Sequence, residues 1–126
     1  DHDKTWFTLG TVFESDDYLD SAIVKYQKAI ELNPGYTKAY GNLGNMYMRK
    51  KDYSAAEDLL IIATQIDPTY ADGYLRLGLV YEQQELYSEA SEQFKLATEY
   101  GTQNFDAWFR LASSCSEKPS RNGQDK

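Results

Sequence analysis

Lys38, Asn42, Asn45 and Arg49 follow one another at i, i+4, i+7 and i+11, the spacing of one face of a helix. Each Asn offers an acceptor and two donors. That pair of groups can meet both the C=O and the N–H of an extended polypeptide backbone, and Arg holds a carboxylate through two parallel hydrogen bonds. Asn is disfavoured in a helix interior, where a merely solvated face would carry Glu, Lys or Gln. The stretch around them, YGNLGNMY at 40–47, contains two Gly and two Asn, a content that costs a helix roughly 3 kcal/mol relative to Ala. Residues so poor in propensity point to hydrogen bonding and close packing as what this helix supplies.

Other chemistry is thinly represented. His2 is the single histidine and lies at the N-terminal edge, so a His-based triad or a multi-His metal site has no material. Glu14, Asp16, Asp17 and Asp20 cluster between two helical segments, where carboxylates favourably meet a helix N-terminus. We read them as a solvated capping cluster. No glycine-rich phosphate loop is present, and no cofactor or metal is expected. The chain is read as non-enzymatic.

Composition narrows the partners. The chain has 126 residues, 41% hydrophobic and 26% charged, enough for one domain with a core. Its formal net charge of −7 argues against nucleic acid or an anionic membrane as partner. The longest apolar run, Leu59 to Ala63, is far too short to cross a bilayer, so no direct membrane insertion is expected of this segment. One cysteine makes no internal disulfide, which slightly favours a reducing compartment such as cytoplasm or organelle stroma. The chain opens at Asp1 without Met, the form of a processed product or of a segment of something longer.

The elements that must hold the polar face show themselves as an internal repeat. Trp6, Tyr40, Tyr74 and Trp108 recur at a spacing of 34, as do Leu9, Leu43, Leu77 and Leu111. Gly10, Gly44 and Gly78 keep the same spacing, with Ala112 in the fourth place. So do Phe13, Tyr47 and Tyr81, then Ala22, Ala56 and Ala90, then Tyr26, Leu60 and Phe94, then Ala29, Ala63 and Ala97. Asn33-Pro34 and Asp67-Pro68 stop the second helix of a unit, and Gly101 takes over that task in the third. The pattern predicts helices at about 3–15, 19–32, 37–50, 53–66, 71–84, 87–100 and 105–116. The small residues should let paired helices approach closely. The polar end, 117–126, reads as a disordered tail. Cys115 occupies the place of Phe13, Tyr47 and Tyr81 and reads as a packing thiol.

This W-x2-L-G-x2-Y, A-x3-F, A and P pattern resembles the tetratricopeptide repeat family across about residues 3–116. The resemblance implies an all-α fold, a right-handed α-solenoid of three helix-turn-helix units at 3–36, 37–70 and 71–104, with a capping helix at 105–116. It also implies that the first helix of each unit lines a concave groove that takes a peptide segment of a protein partner. The residues expected on that face include Phe7, Lys38, Asn42, Asn45, Arg49, Leu75, Arg76, Leu79, Phe109 and Arg110. Phe7, Leu75, Leu79 and Phe109 would be apolar surfaces, Asn42 and Asn45 backbone binders, and Arg76 and Arg110 anion partners. Gly41 would leave a gap among bulky neighbours.

Family members that grip acidic chaperone C-termini use a two-carboxylate clamp of Lys, Asn, Asn, Lys and Arg. Asn42 and Arg76 match it, whereas Phe7, Thr11 and Asp72 depart from it. Shifted by one unit, Asn45 and Arg110 match and Gly41, Arg76 and Asp106 depart. The expected ligand is therefore a protein or peptide with apolar and acidic residues rather than that clamp's own ligand, and the expected role is an adaptor in complex assembly, chaperone or transport work. The alternatives are a scaffold that self-associates weakly through Ile61 and Ile62, which align with Gln27 and Lys28 of the first unit, and the recruitment arm of a larger enzyme.

Overall fold

The computed structural model describes residues 2–101. The described residues form helices α1 (His2–Ser15), α2 (Leu19–Leu32), α3 (Thr37–Arg49), α4 (Tyr53–Ile66), α5 (Ala71–Gln83) and α6 (Tyr87–Glu99), with no strand among them. Each boundary falls within one residue of its expected place. The helix expected at 105–116, with Phe109, Arg110 and Cys115, and the tail at 117–126 lie outside the described residues. The chain divides into two compact units, Asp1–Pro68 and Thr69–Lys126, so that α1 to α4 belong to the first and α5 and α6 to the second.

Each first helix ends in the same way. Asp17, Lys51 and Glu85 adopt positive φ of 65°, 68° and 63°. Their backbone N–H groups bond back to Glu14, Met48 and Glu82, and the next residues, Tyr18, Asp52 and Leu86, bond back to Phe13, Tyr47 and Tyr81. These are Schellman closures, which satisfy the carbonyls a helix end leaves open. Left-handed backbone favours Gly, so closure by Asp, Lys and Glu carries strain in each of the three hairpins. The second helices α2 and α4 end at Asn33 and Asp67, immediately before their prolines.

The repeat glycines are holes for the residue sixteen positions later. A Cβ on Gly10 would stand 2.5 Å from Tyr26 Cε1, and one on Gly44 would stand 2.7 Å from Leu60 Cγ. At Gly78 the same atom would run into three ring carbons of Phe94. The expectation of close approach holds, and the nearest atoms belong to Tyr26, Leu60 and Phe94; at Gly44 the Ala56 carbonyl oxygen also comes close, at 3.4 Å. All three bulky side chains are completely buried.

In the first unit Ala22, Ile23, Tyr26, Leu43 and Met46 form the core, with Phe7, Phe13, Leu19, Ile30, Tyr47 and Leu59 packed around it. In the second, Leu75, Ala90, Phe94 and Ala97 form the core beside Tyr74, Leu79 and Tyr81. Leu75, expected as an open apolar surface, is only 7% exposed. It stands three residues before Gly78, on the helix face that meets Phe94, so it covers that ring instead of facing outward. Gly41 is buried as well, and the expected gap is not open.

Candidate functional site

Two of the four residues of the α3 polar stripe, Asn42 and Arg49, are held by neighbouring helices and turns. Asn42 Nδ2 donates to the hydroxyl of Tyr26 at 3.3 Å, and that hydroxyl donates to Glu14 Oε1 at 2.5 Å. Tyr26 belongs to the second helix α2, yet its hydroxyl reaches a half-buried spot between Glu14 of α1 and Asn42 of α3. It reaches there because Gly10 lacks a side chain where the ring passes. One buried ring thus ties three helices. The sequence held a signal for it: of Tyr26, Leu60 and Phe94, only Tyr26 carries a hydroxyl, and a buried tyrosine usually finds its O–H a partner.

Phe7 packs against the same ring. Its centroid is 5.6 Å from that of Tyr26 and 5.0 Å from that of Tyr36, the latter stacked at 28°. Phe7 is therefore a half-buried packing residue at the edge of the first unit's core. Burial raises the Tyr36 phenol above its ordinary pKa, with the Asp3 carboxylate adding to the effect. Asp3 accepts from Asn33 Nδ2 at 3.1 Å, and that hydrogen bond holds its carboxyl below the ordinary 3.8.

At the C-terminal end of α3, Arg49 pairs with Asp17 and Lys50 with Asp20. The acidic cluster expected to be merely solvated therefore bridges the α1–α2 turn to the end of α3. Arg49, expected to face a ligand, already has a carboxylate of its own chain. The hydrogen bond that Lys50 Nζ donates to Asp20 Oδ1 raises the Lys50 ammonium pKa above 10.5. Lys38, at the other end of the helix, is exposed and has no ion-pair partner among the described residues.

The remaining expected residues fall as follows. Asn42 and Asn45 are half-buried on α3, within reach of solvent and of their neighbours. In the second unit Arg76 is half-buried, and Leu79 packs at the edge of the Leu75 and Phe94 core. Phe109 and Arg110 lie outside the described residues. Of the second surface, Ile61 is half-buried and Ile62 exposed; the next exposed apolar residue of α4 is Ile66, one turn on. Among the described residues no helix is long and apolar enough to cross a membrane, and no group of three or more His, Cys, Asp or Glu is placed to hold a metal ion.

The hairpins and their spacing have counterparts in known proteins. A family model described as TPR repeat matches residues 18–51 and 44–85, and one described as tetratricopeptide repeat matches residues 71–100. A chloroplastic tetratricopeptide repeat domain-containing protein of Arabidopsis thaliana, PYG7, is 36% identical over 53 residues, which are 42% of this chain. The match spans 18% of that protein's length. Among solved structures, the Sgt2 TPR domain from Aspergillus fumigatus superposes with a TM-score of 0.91 at 19% identity, covering 99% of this chain and 84% of that one. The first TPR of Spaghetti (RPAP3), solved bound to the HSP90 peptide SRMEEVD, gives 0.85 at 22% identity over 90% of each chain. With the repeat models matching most of its length and the helices falling where the 34-residue spacing puts them, the chain belongs to the tetratricopeptide repeat family and has that family's all-α solenoid fold.

Proposed function

We propose that this chain is a protein-interaction module of an adaptor, and that the outward face of α3 is part of the surface that holds a partner's peptide. The observation that carries the reading is the Asn42–Tyr26–Glu14 network. It fixes an amide on an otherwise poor helix position, at the edge of the aromatic cluster of Phe7, Tyr26 and Tyr36. A side chain already immobilised loses little entropy when a ligand arrives, so the free energy of each new hydrogen bond goes into affinity. Asn45 lies on the same face and Lys38 supplies an exposed cation. Arg76 of α5 and, by its sequence position, Arg110 are proposed as anion partners, with Leu79 and Phe109 as apolar contacts.

The ligand class follows from these groups: a peptide with apolar anchors and at least one carboxylate. The similar Spaghetti domain is bound to a peptide that carries Glu, Glu and Asp beside Met and Val. Its presence supports the class, while the departures at Phe7, Thr11 and Asp72 from the two-carboxylate clamp argue for a different sequence within it.

Peptides selected from a random library on the intact chain test this. Their affinity should fall at least tenfold when Asn42→Ala is combined with Arg76→Ala, with helix content by circular dichroism unchanged. Equal affinity for the folded double variant would overturn the reading. A second reading, self-association through the convex α4 surface, has in its favour the exposure of Ile62 at 37% and Ile66 at 40%. A sedimentation series over a wide concentration range that shows only monomer would remove it.

A further inference from the structure

We propose that Glu14, acting through the hydroxyl of Tyr26, is a specificity-determining residue of the α3 surface: it makes Asn42 a contact for uncharged backbone amides of the peptide and turns peptide carboxylates away from that point. This role rests on the peptide-binding reading of α3. The Tyr26 hydroxyl has one proton, and Glu14 Oε1 accepts it at 2.5 Å. The hydroxyl oxygen can then only accept from Asn42, whose Nδ2 donates to it at 3.3 Å. The end of the amide that meets Tyr26 is thereby fixed as its NH2 group, never its carbonyl. A carboxylate accepts only, so at Asn42 it would have to share that NH2 group, one hydroxyl away from the Glu14 charge. Glu14 and Asn42 are both half-buried, where water screens poorly and two carboxylates disfavour each other. Glu14 has no ion-pair partner among the described residues, so no salt bridge there offsets its charge. A backbone amide meets no such penalty: it is neutral, and its N–H suits the Asn42 carbonyl, whose oxygen has two lone pairs.

Packing does not call for this arrangement. Leu60 and Phe94 fill the place of Tyr26 without a hydroxyl, both completely buried, and Met48 stands where Glu14 stands. A carboxylate and a hydroxyl taken out of water cost stability unless each is bonded, and apolar side chains at both places avoid that cost. The polar pair occurs where its hydroxyl reaches Asn42. One helical turn earlier, Lys38 is exposed and cationic. The two positions therefore sort the ligand's groups: an acidic side chain is favoured at Lys38 and disfavoured at Asn42, where main chain belongs.

Peptides selected from a random library on the intact chain are the probes. Alanine scanning of a selected peptide, against the wild type and against Asn42→Ala, finds the peptide position whose contribution couples to Asn42. Asn and Asp are then placed at that position in turn, because they match in shape and differ in charge. Asp should bind about tenfold more weakly than Asn to the wild type, and within about threefold of Asn to Glu14→Gln. The Gln side-chain oxygen can still accept from Tyr26, so Glu14→Gln should keep its helix content by circular dichroism. An equal Asp penalty in both proteins, or no penalty in the wild type, would overturn the role of Glu14 and leave α3 as the peptide surface. A peptide with no position coupled to Asn42 would instead remove the peptide-binding reading itself, and this role with it.

Discussion

Replacing Gly78 with Ala should destabilise the protein, although Ala is the better helix former. The added Cβ would lie 2.5 Å from Phe94 Cδ1 and 2.9 Å from Cζ, and closer still to Cε1. Ordinary contact begins near 3.4 Å, so the ring must retreat by about 1 Å. Phe94 is completely buried and its ring is rigid, so the retreat must be taken up by Leu75, Ala90 and Ala97, which form the same core. Overpacking of this kind costs about 1–3 kcal/mol. Helix propensity returns about 1 kcal/mol of it. The net loss should be up to about 2 kcal/mol, read from urea unfolding followed by circular dichroism. Phe94→Leu supplies the second arm, because Leu60 already fills the corresponding hole at Gly44. In the Gly78→Ala background that substitution should cost at least about 1 kcal/mol less than in the wild type. A stabilising Gly78→Ala, or a double-mutant cycle without coupling, would show that the ring has room and that the glycine is not there for packing.

Lys51→Gly should stabilise by up to about 1 kcal/mol, because it removes left-handed strain at φ 68° from an exposed residue, and chemical denaturation reads it directly. Tyr26→Phe should keep the helix content, since Phe94 fills the equivalent position, and should lose about 1–2 kcal/mol with the hydrogen bonds to Glu14 and Asn42. The Asp3 carboxyl titrates below 3.8 because Asn33 donates to it; Asn33→Ala should move its titration, followed by NMR, back up. A lowered carboxylate stabilises the fold above its unfolded pKa and loses that contribution as pH falls through the folded value. The stability difference between wild type and Asn33→Ala should therefore be present above pH 3.8 and shrink below it.

The helices were legible because the signals that set them are local: prolines after Asn33 and Asp67, apolar stripes, and a 34-residue period that repeats each signal. The site was less so. Phe7, Gly41 and Leu75 occupy one repeat position, and reading it as outward places Leu75 on an open surface. The glycine three residues further on contradicts that reading, because a residue at i+3 shares its face, and the glycine face is where Tyr26 and Phe94 press in. The three left-handed closures at Asp17, Lys51 and Glu85 leave no trace in composition, since each residue type is ordinary in a turn and only the backbone shows the strain. Tyr26 reads in the sequence as core alone. It is core by its ring, and by its hydroxyl it organises the polar face.

The charge distribution narrows where an acidic ligand can be held. Arg49 and Lys50 are both engaged by the α1–α2 turn through Asp17 and Asp20. All four side chains are well exposed, so each pair contributes at most about 1 kcal/mol and is screened by salt. Their consequence for binding is larger than for stability: an incoming carboxylate at Arg49 must compete with one already in place. Lys38 faces no such competitor among the described residues, and it lies one helical turn before Asn42. Of the positions on α3, the N-terminal half therefore combines a cation open to a carboxylate with an amide held by Tyr26, while the C-terminal half is closed on itself. On the proposed reading of α3, a carboxylate of the peptide would therefore sit beside Lys38, with the peptide backbone running toward Asn42 and Asn45.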